Sequence, residues 1–150
     1  MDHTVETSPF YDAWKQTAQE DLLAIKEAIK ERDFSRLGTI TEHNGMKMHA
    51  TTLSANPPFT YWSPDTIRVQ EEVRAVRSQT GLSAFMTMDA GPNVKILCRQ
   101  SQMVQLKKAL QEVLPVEFSI IESGVGFAAR SLSEREWEDS VKEFEEKGRM

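Results

Sequence analysis

The chain has 150 residues, 39% of them hydrophobic, with 18 Lys+Arg against 23 Asp+Glu for a formal net charge of -5. That length suits a single domain, 1–150, with a real hydrophobic core, and an acidic chain with no basic face argues against nucleic acid as a partner. No apolar run reaches membrane-spanning length and residues 1 to 20 carry charges throughout, so no membrane partner and a cytoplasmic location are expected.

Ser8-Pro9 reads as an N-cap with proline in the first turn. Tyr11, Trp14, Ala18, Leu22, Ile25 and Ile29 then recur every three or four residues and predict a long amphipathic helix. Asp33 is placed to cap a second helix, whose stripe of Leu37, Ile40 and Met48 is interrupted by His43, Asn44 and His49 before Pro57-Pro58 ends it. Ser63-Pro64 repeats the capping signal for a helix carrying Val69, Val73 and Val76, and Gly81 makes its C-terminal stop. The period then changes. Residues 82–89 and 94–99 predict an antiparallel hairpin around Gly91-Pro92, and 101–114 a helix with Met103, Leu106, Leu110 and Val113 on one face. Residues 116–122 and 125–130 predict a second strand pair around Gly124, and Ser133 with Glu136 a capping box before Trp137, Val141 and Phe144. Helices grouped apart from strands indicate an α+β fold, an antiparallel sheet of about four strands packed against several helices.

Chemistry concentrates at the first hairpin. Phe85, Thr87 and Asp89 share one strand face, so Asp89 ends a file of side chains at the sheet rim, where a carboxylate either caps the turn or reacts. Ala90, Gly91 and Asn93 complete the loop; Gly91 serves either a permissive φ or close approach of a ligand to the backbone. His49 reads as a structural histidine or as a hydrogen-bonding group behind a pocket. His43 and Lys47 read as residues of a solvated or inter-element face. The single cysteine, Cys98, follows a strand-like Lys95-Ile-Leu and reads as a buried inert thiol. Three histidines and one cysteine offer no zinc-type spacing, so no metal site is expected. Gly124-Val-Gly126 is too short to cradle a nucleotide.

Thr7-Ser-Pro-Phe-Tyr11, Glu42-His-Asn-Gly-Met-Lys-Met-His-Ala-Thr-Thr-Leu53, Asn56-Pro-Pro-Phe-Thr-Tyr-Trp62 and Asp89-Ala-Gly-Pro-Asn93 follow one another in an order that resembles the C-terminal half of bacterial mevalonate diphosphate decarboxylases, members of the GHMP kinase superfamily. The resemblance runs from about Met1 to Arg130. It implies the superfamily's C-terminal, ferredoxin-like domain and makes Asp89 the catalytic aspartate, which contacts the 3-hydroxyl of mevalonate diphosphate and helps orient or deprotonate it. Met1, Ala90, Gly91 and His49 are then expected around the substrate. Met1 aligns with the last residue of a Ser-Ser-Arg-x-Gly-Met motif, so the substrate-binding Ser and Arg and the ATP-binding N-terminal half are expected outside these residues. ATP and Mg2+ belong to the full enzyme, with neither expected to bind this chain tightly. The chain alone is expected to be inactive, and a homodimer is left open. Sister kinases carry a glycine-rich loop where Asp-Ala-Gly-Pro-Asn stands here, which argues against a small-alcohol kinase fragment. A stand-alone ligand-binding or regulatory module is the alternative from another class.

Overall fold

The computed structural model describes residues 2–126 and 128–147 and divides the chain into two compact units, Met1–Ile120 and Ile121–Met150. The first unit opens with α1, Asp2–Thr7, a short helix absent from the sequence-based expectation. Helix α2 spans Tyr11–Glu31 and starts later than Pro9: Phe10 stands at its N-cap with helical dihedrals and no side-chain bond. Ser8 is unavailable as a cap because its hydroxyl is shared with Ser54 Oγ at 2.7 Å and accepts from Phe10 N at 3.3 Å. Helix α2 ends at Arg32, whose left-handed φ of 58° turns the chain so that Asp33 N donates to Ala28 O. As expected, Asp33 then caps α3, Phe34–Leu53, accepting from Arg36 N at 3.0 Å.

The two helices form an antiparallel hairpin whose inward face keeps Tyr11, Trp14, Ala18 and Ile25 of the predicted stripe, all half-buried, but departs from it at two positions. Ala28 is buried, while Leu22 and Ile29 point out, 52% and 58% exposed. The inward position goes instead to Asp21, which pairs with Lys47 Nζ and accepts from Asn44 Nδ2 at 2.9 Å. Burial pushes this carboxyl up, but hydrogen bonds from Lys47 and Asn44 and the charges of Lys47 and His43 outweigh it and leave its pKa lowered. Lys47 and Asn44 thus lie on an inter-element face. Helix α3 stops at Leu53, short of the prolines, because the chain turns there toward α1: Asn56 N donates to Thr7 Oγ1 at 3.0 Å.

Helix α4, Pro64–Thr80, has the expected ends. Ser63 and Thr66 form a reciprocal capping box, and Gly81 closes the helix at φ 70°, a backbone conformation that favours glycine. Strand β1, Phe85–Thr87, pairs antiparallel with β2, Lys95–Leu97, in the register Phe85↔Leu97, Met86↔Ile96 and Thr87↔Lys95. A 3-10 turn at Gln100–Gln102 leads into α5, Met103–Val113. Alternation along β1 splits the unit into layers. Ala84 and Met86 join Val73 and Val76 of α4 and Leu106 and Leu110 of α5 in the core, with Ile120 packed against it. The other face of β1 lies on α3, where Gly38 and Gly45, two helical turns apart, admit Phe85 and Thr87; a Cβ on Gly38 would fall 2.1 Å from the Phe85 ring.

The free edge of β1 is satisfied by side chains. Glu42 of α3 accepts from Met86 N at 3.0 Å and from Arg77 Nη1 at 2.9 Å, while the same Arg77 nitrogen donates to Ala84 O at 2.8 Å. In a strand the carbonyl of one residue and the amide of the second residue along face the same way. The ion pair therefore supplies the donor and the acceptor that a third strand would have offered.

The fold is α+β, with a sheet of two strands rather than about four. Among the described residues, 116–126 and 128–130 form no strand, so the second strand pair of a ferredoxin-like sheet is missing here. The cause is visible in exposure: Val116, Ile121 and Val125 are 101%, 87% and 105% exposed, with no face to bury and no ladder to join. In the second unit, α6, Glu134–Lys147, has the predicted capping box, with Ser133 N donating to Glu136 Oε2 at 2.9 Å and Glu136 N to Ser133 Oγ at 3.4 Å. Arg130 grips the same carboxylate at 2.6 Å, and its hydrogen bond, aided by those of Ser133, holds Glu136 down to about 2.

Candidate active site

Strand β1 carries two files to the rim of the sheet. Ala84, Met86 and Met88 are buried at 4% exposure or less, which fixes the register of the strand; Phe85, Thr87 and Asp89 follow the other face out to solvent. Asp89 emerges with its side chain 74% exposed and paired with Lys95 Nζ at 2.9 Å. The geometry follows from the hairpin: Lys95 stands directly across from Thr87 on the same face, and Asp89 is its diagonal neighbour. The hydrogen bond from Lys95 and then its charge lower the Asp89 pKa, with a smaller pull from His49. Asp89 is an anionic carboxylate on an open rim, able to accept a hydrogen bond from a ligand hydroxyl.

The turn that presents it is anchored. Gly91 N donates to Asp89 O at 2.8 Å, and Thr66 Oγ1, buried at the start of α4, donates to Pro92 O at 2.7 Å. Thr66 also accepts from Ser63 N, so one hydroxyl both caps a helix and tethers the hairpin. Of the two roles open to Gly91, the permissive φ is not used: its backbone lies outside the left-handed region, and a Cβ there would meet nothing within 4 Å. Space beside the backbone is what it provides. Ala90 is exposed next to it.

His49 sits behind this loop, only 1% exposed, against Trp62 at 4.8 Å and Tyr61 at 6.3 Å between ring centroids. Neither ring nitrogen has a hydrogen-bond partner, nor does Trp62 Nε1. Burial lowers its pKa; the nearby Met88 backbone and the Asp89 charge pull the other way without prevailing. Of the polar residues that interrupt the α3 stripe, Asn44 is half-buried and His49 buried, whereas Asp89 reaches solvent. Met1 lies outside the described residues. Cys98 is half-buried and burial raises its thiol pKa, the profile of an inert cysteine.

Sequence reasoning passed over Thr66, Lys95 and the Glu42–Arg77 pair. Thr66 was legible as the third residue of a capping box after Ser63, and Lys95 as the residue a hairpin would set beside Asp89; Glu42 and Arg77 are 35 residues apart and carry no local signal. Among the described residues no group of three His, Cys, Asp or Glu side chains lies together to hold a metal ion, and no helix is long and apolar enough to cross a membrane. Two surface clefts, of about 360 and 260 Å3, are lined by Thr80, Leu82 and Lys108 of one region and by Glu42, His43 and Arg74 of another; neither includes Asp89 or its loop. Asp89 itself stands on an open rim, its side chain largely exposed.

The family described as the mevalonate 5-diphosphate decarboxylase C-terminal domain matches residues 1–147. Among solved structures, the mevalonate diphosphate decarboxylase from Enterococcus faecalis is 48% identical, with a TM-score of 0.74 over 77% of this chain and 36% of that one. A structure described as MDDEF in complex with MVAPP, AMPPCP and magnesium is 50% identical, with a TM-score of 0.71 over 73% of this chain and 33% of that one. A phosphomevalonate decarboxylase of Haloferax volcanii is 28% identical over 75% of this chain and 34% of its own length. The chain spans about a third of the length of the curated relatives it matches.

Proposed function

Because this chain belongs to the mevalonate 5-diphosphate decarboxylase family through its C-terminal domain, we propose that it contributes the reacting aspartate, Asp89, to an ATP-dependent decarboxylase that converts mevalonate diphosphate to isopentenyl diphosphate. The observation that carries this reading is the placement of Asp89: an ionised side chain, 74% exposed, at the end of a strand locked in register by a buried file. From there the carboxylate accepts the hydrogen bond of the substrate's tertiary hydroxyl, orients it for phosphorylation and takes its proton as the oxygen gains phosphorus. Ala90 and the open side of Gly91 leave room for the substrate against the loop, and His49 supports Met88 and Asp89 from behind. Met1 belongs to the same proposed set by its position beside the family's Ser-Arg motif.

ATP and Mg2+ are assigned to the full enzyme. Among the described residues no cluster of metal-ligating side chains is present, and the sequence has no glycine-rich phosphate loop, so this chain's residues fit neither group. An N-terminal nucleotide-binding half is accordingly part of the proposal, as is the treatment of 1–150 as one domain of this type. The open rim around Asp89 supports a site whose other wall comes from elsewhere. The chain by itself turns over no substrate.

A second reading, phosphomevalonate decarboxylase, is favoured by the Haloferax relative; it differs only in the phosphate chain, which nothing in the Asp89 loop reads. The test is carbon dioxide release, with ATP and magnesium, by the chain joined to the N-terminal half of the Enterococcus enzyme. Turnover of mevalonate diphosphate, lost in Asp89→Asn, is expected. Turnover of the monophosphate alone would establish the second reading, and turnover of neither by a folded protein would overturn both.

A further inference from the structure

A general base works best unencumbered, yet Asp89 is held by an ammonium group at 2.9 Å. The pairing is imposed by the hairpin: the Thr87↔Lys95 register sets Lys95 on the same face as Asp89, and a loop of seven residues, 88–94, keeps them together. Both side chains are exposed, 74% and 53%, and an ion pair so placed adds little to stability and is easily exchanged. Lysine suits exchange, being a compact charge with three donors on a flexible stem. Among the described residues, the groups whose charge bears on Asp89 are Lys95 from β2 and the buried His49 from α3, and from α4 the loop receives the Thr66 hydroxyl. Lys95 is therefore the mobile charge at the site.

We propose that Lys95 is a positioning residue that Asp89 exchanges on substrate arrival: its ammonium holds the free carboxylate toward β2, then leaves it for a phosphoryl oxygen of the anionic substrate. The inference rests on the reading of Asp89 as the proton acceptor. Once Lys95 has moved, the Asp89 oxygen it occupied is free to take the hydroxyl proton: the substrate O–H bond breaks and an O–H bond on Asp89 forms. Uncharged alcohols leave the pair intact and Asp89 engaged. Anionic substrates are thereby selected at the base itself, separately from any contact that grips the phosphates.

Carbon-13 NMR of the Asp89 carboxyl in this chain tests the pairing without reference to turnover. Lys95→Met, which keeps the stem, should shift the titration midpoint upward, and Lys95→Arg should restore it. Inorganic pyrophosphate should raise the midpoint in the wild type and leave Lys95→Met unmoved. A Lys95→Met midpoint equal to wild type overturns the proposal, and so does a wild-type midpoint indifferent to pyrophosphate, which would leave a static surface ion pair. In the two-domain enzyme the acid limb of kcat/KM, which reports the free protein, should move up in Lys95→Met while that of kcat stays. Equal movement of both limbs would mean that Lys95 never leaves and would overturn the exchange. If Asp89→Asn retains turnover, the base assignment fails, while the NMR result on the pair still stands or falls by itself.

Discussion

Replacing Gly38 with alanine tests whether β1 is seated where the layers require. In an exposed helix interior the change stabilises by about 1 kcal/mol. Here the new Cβ would lie 2.1 Å from Cγ and Cδ2 of Phe85 and 2.6 Å from Cδ1. Carbons in contact stand about 3.5–4.0 Å apart, so the ring must retreat by roughly 1.5 Å. Cγ is the root of the ring, and spinning the ring about its own axis clears nothing. The ring is also bracketed, with the Arg77 guanidinium 5.1 Å from its centroid and the Phe34 ring 6.0 Å away. Overpacking of this kind costs about 1–3 kcal/mol; with a forced strand shift at the upper end, the net loss is about 1–2 kcal/mol after the helical gain. With a urea slope of about 1.5 kcal/mol/M, the midpoint falls by about 1 M. Gly45→Ala is the control: its Cβ would come to 3.0 Å from a single side-chain atom, Thr87 Oγ1, and the change should be within about 0.5 kcal/mol of neutral. A Gly38→Ala protein as stable as wild type, or less affected than Gly45→Ala, would refute the packing argument.

Asp89→Asn should leave the urea midpoint within about 1 kcal/mol of wild type, since the side chain is exposed, while turnover of the two-domain enzyme falls by about 100-fold or more with little change in KM; near-normal kcat would reduce Asp89 to a turn residue. Glu42→Gln keeps an acceptor for Met86 N but leaves Arg77 without its counter-charge, and denaturation should show a loss of about 1–2 kcal/mol; no loss would mean that the pair does not hold the β1 edge. His49 is held below its ordinary 6.5 by burial. The unfolded chain therefore takes up the proton first, and stability declines as pH drops below about 6.5 toward the lowered folded value, with no contribution above. Urea melts from pH 7.5 to 5 should show that decline, and His49→Asn should flatten it; an unchanged slope would assign the effect to another group.

What was legible in the sequence was local. Asp33, Ser63, Gly81 and the Ser133–Glu136 box all mark helix ends through contacts within a few residues, and the structure places each where the sequence put it. The Asp89 turn was legible for the same reason. Ser8 misled because its competing partner, Ser54, is 46 residues away. The α2 face was misread only at Leu22 and Ile29; at the first of these a tertiary partner, Lys47, favours Asp21 over a leucine at the inward position. Strand signals at 116–130 describe what those residues would do beside another strand, and propensity alone does not form one. His49, whose role the sequence left open, is buried by the aromatic residues Tyr61 and Trp62, more than ten positions along the chain.

The Glu42–Arg77 pair has a consequence for self-association. An incoming strand seeking the Ala84 carbonyl and the Met86 amide finds them already bonded to charged side chains. The sheet has two strands, so the clamp closes one of the two edges at which another chain could add. A fibril ladder needs every copy open along both flanks, each offering amides and carbonyls, so a sheet with its β1 edge closed cannot propagate one.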